Sequence, residues 1–303
     1  MPQHMTDPAL ADDSDAHRRR RLLGIGAMAL GFFLFSIVDT TAKFLTDTFH
    51  PLQIVWMRQL GLLAGVLVMM AAQGMTLLRT KAPGLQITRG VLAAASATLF
   101  IYAVAYVPLA DAVAITFVAP FMVTVLGALL LKEQVGLRRW TAVTIGFLGA
   151  LIIIRPGMGV LHPAAGLLVL AALFFALRQI ASRVLGSADP TRTTVAYTAI
   201  TASAVLTVPM LFVWQTPGNW QAFALIALLA ILAGVAETMI IRALELAEAV
   251  VLAPIHYTLL IWGTTWGWLV FGQLPDIWTW IGAAIIIVSG LYTLHRERQA
   301  KRR

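Results

Sequence analysis

Five ionisable side chains, Asp39, Arg58, Arg178, Glu237 and His256, fall within long apolar stretches, where an unpaired charge is costly and marks a candidate functional position. Asp39 and Lys43 are four residues apart, so a helix places them on one face where they can pair. Arg58 enters at a similar depth from the next stretch. The trio, with one acid and two bases, supports two uses. It can clamp the first helical hairpin and shut an outer gate, or Arg58 or Lys43 can grip a solute carboxylate while Asp39 meets an amine.

Glu237 lies about two-thirds of the way along its stretch, with Arg242 five residues further on. A carboxyl there can exchange a proton, bind an amine, or form a salt bridge with Arg178. His256 and Tyr257 follow Pro254, and Pro120 occupies a similar place in an earlier stretch. A proline inside a helix frees a carbonyl and bends the chain, so Pro120 and Pro254 are read as matching kinks near mid-depth. Interrupted helices at related places point to a transporter's binding site. His256 either faces a neighbour's carbonyl or, with Tyr102, Tyr257, Trp262, Thr264 and Thr265, lines a site whose rings suit an ammonium-bearing solute.

These residues need apolar elements to hold them. With 59% hydrophobic and 12% charged residues in 303 positions, the chain reads as an all-α polytopic membrane protein. Ten stretches are long enough to span a bilayer: 22–44, 53–73, 85–106, 111–131, 137–155, 163–184, 191–214, 221–243, 248–271 and 275–294. Pro51, Pro83, Pro108, Pro156, Pro163, Pro190, Pro217 and Pro275 fall at or near the breaks. The division is a disordered cytoplasmic tail (1–21), two five-helix repeats (22–157 and 158–295) and a basic cytoplasmic tail (296–303).

All but four of the 22 lysines and arginines collect on one side if the N-terminus is inside, among them Arg18 to Arg21, Arg79, Lys81 and Arg89. Both termini are therefore expected in the cytoplasm. Trp56, Trp214, Trp220, Trp278 and Trp280 read as outer interfacial anchors and Trp140 as an inner one. The net charge of +8 is thus a topology signal, and nucleic acid is not an expected partner. The absence of cysteine excludes thiol chemistry. No phosphate loop, zinc motif or nucleophile elbow is present, so the expectation is no enzyme, no cofactor and no metal. Gly61/Gly65 and Gly263/Gly267 permit close helix contact, read as packing within one protomer; monomer and dimer both stay open.

A repeat is visible at about 140 residues. Leu109 to Val113 (LADAV) returns as Leu246 to Val250 (LAEAV), Lys43 as Arg183, Pro51 as Pro190 and Trp140 as Trp280. Five crossings per copy invert the second copy relative to the first. Asp39 to Lys43, His50 to Gln53 with Arg58, Pro108 to Ala112, Ala119-Pro120, Lys132-Glu133, Gly146 and Gly149 before Arg155 to Gly157, Ala253 to Thr258, and Phe271 to Gln273 together resemble the drug/metabolite transporter superfamily in its EamA-like branch. The family often has an acid at the place of Gln273.

The resemblance implies a bacterial inner-membrane carrier of small metabolites, and some members similar to this chain are assigned to S-adenosylmethionine uptake. It also suggests a proton as coupling ion. The expected function is a secondary transporter moving an amino acid or zwitterionic derivative by alternating access. Helices one, three, four, six, eight and nine are expected to line its midplane cavity. Two alternatives are an exporter of hydrophobic cations or drugs, and a membrane-embedded enzyme or assembly factor.

Overall fold

The structure is a computed structural model in which residues 8–155, 162–185 and 189–301 are described; the expected repeat boundary at 157/158 lies outside them. Twelve α-helices follow one another, with no strand among the described residues: α1 Pro8–Leu45, α2 Pro51–Gln73, α3 Pro83–Val104, α4 Leu109–Thr116, α5 Ala119–Leu130, α6 Leu137–Ile154, α7 Ala165–Leu185, α8 Thr191–Leu211, α9 Trp220–Leu246, α10 Ala249–Leu252, α11 Thr258–Phe271 and α12 Ile277–Lys301. They make ten spans. Helices α4 and α5 form the fourth, while α10, a 3₁₀ turn at Ala253–Tyr257 and α11 form the ninth. Every backbone polar group at bilayer depth must be satisfied within the protein, which is why apolar stretches of this length become helices.

Proline and capping chemistry set the helix ends. Pro51 and Pro83 open α2 and α3, where a missing N–H costs nothing. Asn219 caps α9 by accepting from the Ala222 amide at 2.8 Å. One expectation is corrected: α1 begins at Pro8, so residues 8–21 continue a helix where a disordered tail was expected. Once a long helix is nucleated in the membrane, each further residue adds a hydrogen bond without a new nucleation cost.

The duplication appears directly in the packing. A side chain at Gly61 (α2) would overlap the Ala230 carbonyl (α9), and one at Gly90 (α3) would press on Thr201 (α8). Residues 61 and 201, and 90 and 230, are each 140 positions apart, so one contact is the other with the copies exchanged. The α6–α12 seam maps onto itself in the same way. Ser289 Oγ donates to the Ala142 carbonyl at 2.7 Å, and Gly149 packs against Gly282. An odd number of spans per copy makes this exchange an inversion, as in transporters built from inverted repeats.

The expected small-residue faces hold only in part. Gly61 and Gly263 pack closely, the latter on Val113, whereas nothing approaches Gly65.

The two larger of four apolar clusters among the described residues fill most of the bundle. One joins α1, α2, α3, α8 and α9 around Val38, Ile54, Ile101 and Leu229. The other joins the fourth, fifth, sixth, ninth and tenth spans around Ile115, Ile153, Leu168 and Ile286. Between them the chain leaves a cavity.

Candidate solute-binding site

Both discontinuous spans contribute to that cavity. The fourth breaks after Thr116, and Pro120 restarts it at the second position of α5. The ninth breaks into the 3₁₀ turn that carries Pro254, His256 and Tyr257. The expected interruptions are thus present, and Pro120 and His256 face the cavity. Its volume is about 440 Å³, within the roughly 300–1,000 Å³ of small-molecule sites.

Asp39, Arg58, Arg178 and Glu237 all line the wall. Arg58 brings in the second span, which was not among the expected lining helices. Arg58 pairs with Asp39 at 3.8 Å and lies over the Phe35 ring at 5.2 Å. Arg178 lies over the Phe175 ring at 4.7 Å. Its Nε is buried with no hydrogen-bond partner among the described residues. Arg178 is within electrostatic reach of Glu237, which attracts it, and of Arg58, which repels it, yet it forms no ion pair among the described residues, so the envisaged Arg178–Glu237 salt bridge is not formed. His256 stacks on Phe32 with centroids 4.8 Å apart and meets Phe117 edge-on at 5.3 Å, so rings rather than a carbonyl surround it.

Other candidates sit elsewhere. The pairing of Lys43 with Asp39 is corrected: the Lys43 ammonium donates to the carbonyls of Val104 at 2.5 Å and Val107 at 2.8 Å. The last carbonyls of a helix lack intrahelical donors, and a cation there also meets the negative end of the helix dipole. Lys43 therefore ties α1 to the end of α3, at the end of the bundle opposite the start of α1 and end of α12. Val38, Ala42, Ile101, Val104 and Val107 are fully buried there.

Trp262 packs edge-on against Phe33 at 4.9 Å, and Trp266 donates to Ser36 Oγ at 3.0 Å; together they fasten α11 to α1 outside the cavity wall. Tyr102 is 38% exposed near His50 and Tyr106, and Tyr257 packs on Phe117 and Gly290. Neither tyrosine lines the cavity. Thr265 bonds back to the Ile261 carbonyl, so its hydroxyl is occupied within its own helix.

Arg89 was missed. Assigned to a cytoplasmic cluster, it lies inside α3 and faces the cavity. Its Nε donates to Ser182 Oγ at 2.6 Å, and a second nitrogen donates to the Thr198 hydroxyl. The signal was available, because Arg89 falls within the stretch 85–106. The phenylalanines at 35 and 175 were missed too, although their spacing is the repeat's own 140.

Ten spans in two inverted copies, with a charged, ring-lined cavity between broken helices, define the architecture of a small-solute carrier. The chain belongs to the EamA-like transporter family, whose model matches residues 22–155 and again 162–294, one match per copy. It is 32% identical to a riboflavin transporter of Vibrio cholerae over 75% of this chain and 76% of that one. It is 26% identical to an S-adenosylmethionine uptake transporter of Rickettsia bellii, covering 90% and 96%. It is also 28% identical to a pseudopaline exporter of Pseudomonas aeruginosa, covering 88% and 94%. A crystal structure matches with a TM-score of 0.60 at 17% identity, over 93% of this chain and 99% of that one, which concerns the fold alone.

Proposed function

We propose that this protein is a secondary transporter of the bacterial inner membrane, with both termini cytoplasmic, that moves a small zwitterionic metabolite by alternating access. The observation that carries the reading is a cavity between two broken spans holding both signs of charge, Asp39 and Glu237 with Arg58, Arg89 and Arg178. Mixed sign suits an amino acid or an amino-acid derivative better than a plain cation. The relatives named for S-adenosylmethionine and pseudopaline support an amino-acid-derived solute, and the one named for riboflavin supports a ring-bearing one. Lys43 at the end of α3 acts as a gate, Pro120 and Pro254 mark the segments that bend, and Glu237 serves as amine ligand or proton carrier. The cytoplasmic placement of the termini rests on the lysine and arginine distribution.

The test is counterflow in proteoliposomes over a broad metabolite panel. We expect saturable exchange of an amino-acid-like solute, lost in Arg58→Ala and Glu237→Gln. Absence of exchange for every metabolite overturns the reading.

A further inference from the structure

The two phenylalanine platforms in the cavity are related by the repeat, but the arginines on them are not: Arg58 comes from α2, where the related residue is Thr198, and Arg178 from Phe175's own helix, where the related residue is Val38. Phe35 and Phe175 are 140 positions apart, and each carries an arginine head on its face. On the first platform Asp39 supplies a counter-charge to Arg58. The position 140 residues after Asp39 is Gln179, which also lines the cavity but is neutral. Arg178 thus has the ring and Glu237 within electrostatic reach, but no ion pair among the described residues, and its Nε is buried without a hydrogen bond among them.

We infer that Arg178 receives the carboxylate of an aromatic solute whose ring enters the space between Phe35, Phe117 and Phe175. This rests on the carrier reading above and narrows its substrate to a ring-bearing carboxylate. Three observations converge on it. A guanidinium is a planar fork matched to a carboxylate, and stacking on Phe175 fixes its plane before the solute arrives. The charge count points the same way, because three arginines face two carboxylates and one negative charge is left to be supplied. Arg89 lies within electrostatic reach of Arg178 and is held by Ser182 and Thr198, so it raises the potential at this spot without moving into it. Finally, Phe32, Phe35, Phe100, Phe117 and Phe175 give the wall a surface on which an aromatic ring packs edge-on or offset.

The experiment uses the full chain in proteoliposomes and four labelled probes: L-tryptophan, indole-3-propionate, tryptamine and L-leucine. Exchange of L-tryptophan or indole-3-propionate is expected, with tryptamine slower by about tenfold or more, because a site built for a polar group rejects an analogue lacking it. Arg178→Gln should raise the half-saturation concentration of the indole acids by about tenfold or more, with Arg178→Lys restoring part of it. Phe175→Leu should reduce the preference for indole acids over leucine. Tryptamine exchanged as fast as the acids, or full activity of Arg178→Gln, overturns the inference. If leucine or another metabolite moves while neither indole acid does, the inference falls and the carrier reading stands. If no metabolite moves, both fall.

Discussion

The first and second copies of the repeat present the same aromatic platform, yet one is closed and the other open. In the first, Arg58 sits on Phe35 and is answered by Asp39. In the second, Arg178 sits on Phe175, and the related position holds Gln179. The arginines themselves are not related by the repeat: Arg58 reaches Phe35 from α2 and is answered by a carboxylate, whereas Arg178 lies on Phe175's own helix beside an amide. The same contrast recurs at the ends of the bundle. Lys43 is buried and bonded to two carbonyls, whereas its counterpart Arg183 meets Glu133 at 3.2 Å with its side chain 43% exposed. Lys43 is therefore held from inside the protein, and Arg183 by a surface pair.

The most forceful way to break this comparison is to remove the arginine from each platform. Arg58→Gln strands Asp39 in a half-buried site and should cost about 3 kcal/mol, since losing one partner of a buried pair leaves an uncompensated charge. Adding Asp39→Asn should recover much of that loss. Arg178→Gln breaks no ion pair, so its stability should change by less than about 1 kcal/mol. Thermal melting in detergent reads all three variants, and equal losses at the two arginines would erase the distinction drawn here.

Next in size is the contrast between the ends. Lys43→Met removes two charge-assisted hydrogen bonds and should cost about 2 kcal/mol, against less than about 0.5 kcal/mol for Arg183→Met at an exposed pair. The chain has no cysteine, so Val107→Cys can be labelled cleanly. With Lys43 present this buried cysteine should resist an impermeant maleimide, and with Lys43→Met it should react. A third variant gives the second platform the carboxylate that the related position of the first one carries. Gln179→Asp places a carboxylate beside Arg178 and should weaken uptake of a carboxylate-bearing solute by about tenfold, measured as half-saturation concentration. Unchanged uptake would show that Arg178 does not need its open side.

Much of this was legible in the residues. Ten spans followed from hydropathy and proline position, and the duplication from short strings such as LADAV and LAEAV, because both are local signals. Asp39, Arg58, Arg178, Glu237 and His256 were legible because a charge at bilayer depth has few structural excuses. Partner choice was not. Spacing let Lys43 pair with Asp39, but α3 ends with bare carbonyls within reach, and only three-dimensional packing reveals that competition. Arg89 was hidden by proximity to a basic cluster at a helix start, where charge is ordinary. Trp262 and Tyr102 have the chemistry of a binding wall, but the rotation of their helices turns them to Phe33 and to the outside.

The smallest expected effect concerns two more related positions, the residues that precede Pro51 and Pro190. His50 caps α2, its Nδ1 accepting from the Leu52 amide at 3.3 Å. Asp189, 139 residues later, instead reaches across to α3, accepting from the Thr80 hydroxyl and from Gln86 Nε2 at 2.8 Å. Those hydrogen bonds, Thr80's first, hold the Asp189 carboxyl below the usual carboxylate range. A lowered folded-state value means the tie contributes its full stability above the unfolded value, near 3.9, and loses it as pH falls through the folded one. Melting temperature should therefore decline on acidification below about pH 4, in part because this tie is lost. Asp189→Asn should lower the melting temperature at neutral pH and flatten the acid limb. An acid limb identical in the two proteins would assign the decline to other carboxylates and leave the α3–α8 junction without a pH-sensitive tie.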